Sequence, residues 1–338
     1  MIDAVGAADR LTADVTEATD AALEAATAPP GPVFVGWVAA TDAATCPARY
    51  RAQGEDGWGF PGWSAANAGG AIARAALDRH LDDAGRTGGR AGGGSIPLPD
   101  PVESVRTWMR SAAADARGVT GWVGERRSDG DGATLAAAAA AAGRWLAGFV
   151  RVLGWPLPDR LTLLNVSRDD GRGAAKWWPR KGSALSVGSG ADARIGRVTG
   201  AGEHVLVVHR PSAGDDRDLY RRATLEAAAG ALAHRVAPAA VLITAGDTGE
   251  RTRVTVDENL LRAGGEMIVE VVRQRVVAVD RGYDAADATP SPACRWCELR
   301  DECPPGNAWL SGSATGTGPA TPAAARAWRG GLPVLADD

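Results

Sequence analysis

Lysine is nearly absent from this chain. Of 37 basic residues among 338, only Lys176 and Lys181 are lysines, so chemistry that needs a movable amine has two candidates. Long apolar runs are missing as well: no stretch of about 18 uninterrupted apolar residues occurs, which argues against a membrane span. The nearest approach, the alanine-rich stretch from Leu135, is broken by Arg144. The opening MIDAVGAADRLTADVTEATD lacks both a basic n-region and an apolar segment. No secretory signal is therefore read, and the expected compartment is the cytoplasm. A strong charge of one sign is also lacking. A net charge of -4 excludes a generally basic nucleic-acid binder while leaving room for a local basic groove.

What is present is a globular composition. Hydrophobic residues make up 45 % and charged residues 23 %, enough for a substantial core. The length suits one large domain or two of about 150 residues. Twelve tryptophans stand beside three phenylalanines and three tyrosines, an excess that serves either core packing or nucleobase stacking.

Residues 1–31 are acidic and alanine-rich and read as a solvated helix or loose arm ending at Pro30-Gly31. An N-terminal helical part follows over 32–84. Val33 to Ala39 is strand-like or helix-opening, and Thr41-Asp42 offers an N-cap. The segment from Asn67 to Leu81 predicts a helix with Ile72, Ala76 and Leu77 on its apolar face. Residues 85–98 read as a glycine-rich loop. Residues 99–160 read as a helical insertion, with helices predicted over Val102–Ala116 and Thr134–Leu153.

From 161 to 290 strands alternate with helices, which indicates an α/β sheet with covered faces. The strand candidates are Leu161–Val166, Ala193–Val198, His204–His209, Ala240–Thr244 and Thr252–Val256. Helices are predicted over Asp218–Arg235 and from an Asp257 cap to about Val279, the latter despite the Gly264-Gly265 pair. A cysteine motif occupies 291–308, and 309–338 is a low-complexity tail.

The cysteines fall in one pattern: Cys46, then Cys294, Cys297 and Cys303 in CRWCELRDEC. In a reducing compartment such a set points to metal rather than to disulfides. A C-x2-C turn grips one centre, and a third and a distant fourth thiolate complete four sulfur ligands. Spacing alone accepts either zinc or an iron–sulfur cluster.

The distant cysteine in ATCPARYR, paired with a C-terminal C-x2-C-x5-C, resembles the iron–sulfur clasp of nucleases related to RecB, AddB and Cas4. The resemblance runs from about Trp37 to Gly306. It implies a PD-(D/E)XK restriction-endonuclease-like core, a mixed central sheet flanked by helices, with the N- and C-terminal parts clasped by a [4Fe-4S] cluster on the four cysteines. Zn²⁺ is the alternative.

The resemblance also implies nuclease positions. Active members hold Mg²⁺ or Mn²⁺ on carboxylates that activate a water, assisted by a lysine. Where the early helix should carry a histidine, this chain has Arg74. SVGSGADARIGRV offers Asp192 as the first ligand; another register puts Gly196 there, and a turn aspartate is the structural alternative. The (D/E)xK position reads Val208-His209-Arg210. A valine cannot bind a hard cation, His209 suits a softer ion or a rim hydrogen bond, and Arg210 can hold a phosphate but cannot accept a proton. Both lysines precede Asp192, so the family lysine is missing unless Lys176 or Lys181 reaches the site.

The next helix keeps Tyr220 with Arg217, Arg221 and Arg222, suited to phosphate contact or to surface charge pairing. In KWWPRK, Lys176, Arg180 and Lys181 flank Trp177 and Trp178, which either stack on unpaired bases or cover the sheet. The expected protein is a catalytically degenerate DNA-binding or scaffolding subunit in DNA processing, repair or defence. It would bind single strands or ends beside a helicase or nuclease partner. Two alternatives stand beside it: an active nuclease using Asp192, Glu203 and a relocated lysine, and an interaction module without a DNA role.

Overall fold

The computed structural model describes residues 3–28, 30–52, 63–87, 100–113, 116, 118–153, 161–164, 176–179, 183, 185–197, 204–210, 216–291, 294–295, 297 and 299–312. Among them the chain is mixed α/β, mostly helical, with two small sheets. The helices are α1 (Ala4–Glu24), α2 (Trp37–Thr45), α3 (Pro47–Ala52), α4 (Ala65–Thr87), α5 (Pro101–Ser111), α6 (Gly118–Ser128), α7 (Gly132–Leu153), α8 (Asp216–His234), α9 (Glu258–Arg281) and α10 (Pro304–Leu310). The strands are β1 (Val33–Val35), β2 (Leu161–Leu164), β3 (Lys176–Trp177), β4 (Leu185–Gly188), β5 (Ala193–Arg197), β6 (His204–Arg210), β7 (Ala240–Ala245) and β8 (Arg251–Thr255).

The larger sheet has the order β2-β5-β6-β7-β8 and contains all five strands expected from β-branched runs. Its only parallel pair is β6 with β7, joined through α8, because parallel neighbours need a crossover long enough to hold a helix. Alternation along β6 and β7 divides two cores. Leu206, Val208, Val241 and Ile243 pack with α1, α8 and α9, whereas Val207 and Leu242 meet α4, α5 and α7. The central strands are thus covered on both faces.

Helix α9 begins where expected, with the Asp257 carboxylate accepting from the Leu260 N–H at 2.7 Å. Its glycine pair has a packing reason. A Cβ at Gly264 would come within 2.5 Å of the Thr224 carbonyl oxygen, and one at Gly265 within 3.0 Å of Leu11. The missing side chains let α8 and α1 approach α9 closely.

That approach overturns the expectation of a solvated or loose N-terminal arm. Ala7, Ala8, Leu11 and Val15 of α1 are buried, and the Ala237 N–H donates to the Ala4 carbonyl at 2.9 Å. Three further expectations change. Helix α2 starts at Trp37 behind Gly36, so Asp42 lies buried inside it, 3.4 Å from Arg49, rather than capping it. The second sheet has the order β1-β4-β3; β1 falls within the strand-like run from Val33, whereas β3, β4 and helix α6 are not among the elements expected from the sequence. Of the expected glycine-rich loop, residues 85–87 end α4 and 88–98 lie outside the described residues, as does the tail from 313.

Helix α7 is long and apolar enough to cross a membrane by length and composition. Ala138, Ala142, Trp145, Leu146, Phe149 and Val152 form its buried stripe, against α4 and the sheet.

Candidate functional site

Asp192 stands between β4 and β5 and is buried, its side chain wholly enclosed. Its N–H donates to the Val207 carbonyl at 2.7 Å, which fixes the turn against β6. One carboxylate oxygen accepts from the His209 backbone N–H at 2.6 Å. The other accepts from the Nε of Arg74, which reaches in from α4. Arg74 also lies 5.4 Å from the centre of the Trp145 ring. Asp192, above all, holds the guanidinium above its ordinary pKa, with Glu226 contributing. The helix position where the resemblance implies a histidine is therefore in contact with Asp192, as an arginine that neutralises it.

His209 and Val208 face opposite layers. Val208 is buried towards α8 and α9, so the β6 residue adjoining Asp192 is His209. Its ring is 1 % exposed, packed edge-on to Trp145 at 4.7 Å and to Phe149 at 5.6 Å. Nδ1 is 2.7 Å from the Thr244 hydroxyl, and Nε2 has no hydrogen-bond partner of good geometry. Cβ atoms at Gly148 and Gly246 would come within 3.3 and 3.0 Å of Nε2, so these glycines make room for the ring. The residue is a sheet-to-helix packing element rather than a rim ligand.

Burial pushes the His209 imidazole down to about 4, with nearby Asp192 opposing the fall. An unfolded histidine titrates near 6.5, so between these values the unfolded chain binds more protons. The contribution is complete above about pH 6.5 and lost as pH falls towards 4, on the order of 3 kcal/mol. His234, also pushed down to about 4 by burial, with Arg194 adding, has the same sign. Urea unfolding should therefore show a steep acid loss of stability that shrinks in His209→Gln. A profile identical in the variant would exclude His209 as its source.

A second carboxylate, missed in the sequence, lies on α8. Glu226 is 1 % exposed and accepts from the Ser189 hydroxyl at 2.9 Å and the Gly190 N–H at 2.7 Å, with Arg222 at 2.9 Å. The Arg222 guanidinium sits 5.1 Å from the Trp37 ring centre. Ser189 to Asp192 are thus gripped by two carboxylate–guanidinium pairs, each backed by an indole. The readable signal was a single acid inside the apolar LEAAAGAL run, since a fully buried glutamate must be paired.

The other expected positions scatter. Tyr220 is partly buried towards α9, its phenol pushed up by burial and by Asp257, and it does not join Asp192. Arg222 is committed to Glu226, Arg217 is exposed on the first turn of α8, and Arg221 is half-buried with a partner. Arg210 ends β6, its carbonyl accepting from Gly246 at 2.8 Å. Gly196 lies inside β5 opposite Thr162 and His204. Lys176 is paired with Gly188 in β3. Trp177 is buried and Trp178 is 41 % exposed. Arg180, Lys181 and Glu203 lie outside the described residues.

The cysteines come from both ends of the chain. Cys46 and Cys303 each precede a proline that opens a short helix, α3 and α10. A Cβ at Gly306 would lie 3.3 Å from the Cys303 sulfur and 3.6 Å from that of Cys294. Burial pushes the Cys297 thiol up, Cys294 and Cys46 adding to the rise and Arg49 opposing it. The Tyr283 phenol is pushed up to about 12 by burial first, then by Cys303, Cys46 and Cys297. The Cys294 and Cys303 sulfurs thus lie on the same side of Gly306, and all four thiols are free. Arg51 pairs with Asp287 alongside, a further tie between the two ends. Among the described residues no three His, Cys, Asp or Glu side chains come close enough to hold a single metal ion.

No protein-family model matches this chain, and no curated protein matches it.

Proposed function

We propose that this chain is a cytoplasmic iron–sulfur protein of the RecB-like PD-(D/E)XK type that has lost phosphodiester cleavage. Its task would be to bind DNA, or to scaffold a helicase or nuclease partner, in DNA processing, repair or defence. The observation that carries this reading is the state of Asp192. Hydrolysis in such enzymes needs Mg²⁺ or Mn²⁺ held by accessible carboxylate oxygens. Asp192 is enclosed, and its two oxygens are engaged by the Arg74 guanidinium and the His209 amide. The adjoining side chain is an imidazole packed between aromatic rings, and Glu226 is committed to Ser189, Gly190 and Arg222.

Cys46, Cys294, Cys297 and Cys303 would hold the [4Fe-4S] cluster, a donor set of four thiolates with Gly306 leaving room beside two of them. When bound, the cluster would supply a cross-link between the chain's ends rather than a reacting group. Zinc is the alternative, read out by a colourless protein carrying stoichiometric zinc.

The test is cleavage of single- and double-stranded DNA by anaerobically purified, cluster-loaded protein in Mg²⁺ and in Mn²⁺, with Asp192→Ala as control. The expected result is no cleavage above the control, together with binding that weakens as salt rises. Cleavage abolished by Asp192→Ala would overturn the degenerate reading. Absence of any DNA binding would leave an interaction module.

A further inference from the structure

A groove to which the reading above gives no role lies between α5, α6 and α7, with a volume of about 640 Å³. Its walls follow from helical spacing. On α5, Val102, Val105 and Met109 recur at intervals of three and four residues and share one flank. On α7, Leu135, Ala139, Gly143 and Ala147 recur every four residues, beside the buried stripe that meets α4 and the sheet. Three of those four are alanine or glycine, so this flank carries little side-chain volume and the space beside it stays unfilled. A Cβ at Gly143 would meet nothing within 4 Å. Val105 and Val123 are buried at the base of the groove, while Val102 and Ala147 are exposed at its edge.

The charged groups of the groove have one sign. Arg106, Arg110, Arg127 and Arg144 line it, and no acidic residue is among its described lining residues. Arg106 and Arg110 share a single carboxylate, that of Glu103, at 3.2 and 2.9 Å. Arg127 donates to the Met109 and Arg110 carbonyls at 3.1 and 3.0 Å, which holds α6 to the last turn of α5 without neutralising the guanidinium. Arg144 is exposed and makes no ion pair or hydrogen bond with a described residue. The rim is therefore positive in a chain whose net charge is -4.

We propose that this groove takes the acyl chain of a free fatty carboxylate, whose head is held at the rim by Arg144 and the neighbouring guanidiniums. Small-ligand pockets of about 300–1,000 Å³ are mostly apolar, with a few polar groups that fix orientation. Here the apolar walls cover the chain, and guanidinium–carboxylate hydrogen bonds set its direction. The shape suits one slender chain: Val102 to Arg110 covers about 12 Å of α5 and Leu135 to Ala147 about 18 Å of α7, from the helical rise per residue. A second copy of this chain would set arginines against arginines across a two-fold contact. The site is separate from the nucleic-acid reading and stands or falls without it.

The test is isothermal titration calorimetry of full-length, anaerobically purified and delipidated protein with dodecanoate below its micelle-forming concentration. Dodecyltrimethylammonium and anionic phospholipid vesicles are titrated alongside. Dodecanoate should bind at a single site, and the cation with the same tail at least tenfold more weakly. Gly143→Leu should abolish binding by filling the groove, yet melt no lower than the wild type, because the space beside it is open and leucine favours a helix over glycine. Arg144→Gln should weaken dodecanoate about tenfold, the size of one lost charge-assisted hydrogen bond, without weakening the cation. Dodecanoate binding that survives Gly143→Leu, or no binding by the wild type, would overturn the proposal. Equal binding of the cation would overturn the anionic head. Vesicle binding abolished by Gly143→Leu, with no free dodecanoate bound, would replace the site with a membrane contact, and self-association relieved by that variant would replace it with a contact between copies.

Discussion

Arg74→Ala is expected to destabilise the protein by about 2–3 kcal/mol and to confer no cleavage. Removing one partner of a fully buried ion pair costs about 3–5 kcal/mol, because the remaining charge is left unpaired in a poorly solvated site. Here the carboxylate is enclosed while the Arg74 side chain is 46 % exposed, so water recovers part of the loss. Asp192 would keep only the His209 amide, and the guanidinium contact with Trp145 would go as well. The diagnostic is a double-mutant cycle in urea. In an Asp192→Asn background the loss of Arg74 should cost less than 1 kcal/mol, because no buried charge is then stranded. Equal costs in both backgrounds would show that Arg74 acts through packing on Trp145 instead. Cleavage should stay absent because β6 still offers no carboxylate beside Asp192.

That ion pair marks where sequence reading reached and where it stopped. Asp192 is legible from its register in the SGAD turn, and Arg74 as the residue standing where the early helix should carry a histidine. Their contact joins positions 118 residues apart, and no local pattern encodes it. Elements governed by local periodicity were legible: the five strands of the larger sheet, the Ile72–Ala76–Leu77 face of α4, and α9 with its Asp257 cap. The errors arose where tertiary partners decide. The α1 stripe of Ala7, Ala8, Leu11 and Val15 is apolar at helical spacing, but acids and threonines between its members gave it the composition of a solvated arm. Strand β4 is four residues ending in glycine, and it is stabilised by the distant β1 and by the two-residue β3.

Cys297→Ser is the second substitution with a large expected effect. On the proposed clasp the chain's ends are joined through one cluster, closing the span from Cys46 to Cys303. By the chain-entropy estimate, a cross-link over some 250 residues contributes about 5 kcal/mol by restricting the unfolded chain. Non-covalent ties beside it include Arg51 with Asp287 and the Arg51 Nε donating to Gln274 at 2.8 Å, besides the burial of Ala40, Ala43 and Tyr50 in the core. Loss of the cluster should therefore bleach the broad absorption at the blue end of the spectrum, release iron and sulfide, and lower the melting temperature together. Arg51→Ala separates the contributions, since it removes the side-chain ties without touching a thiol; its effect should be about 1–2 kcal/mol, with colour retained. A wild-type protein that is coloured and contains iron, paired with a Cys297→Ser variant that melts at the same temperature, would keep the cluster and remove its role as a clasp. In that case the packing of α1 on α9 through Gly265, together with Ala40, Ala43 and Tyr50 buried in the same core, would carry the closure of the N-terminal segment.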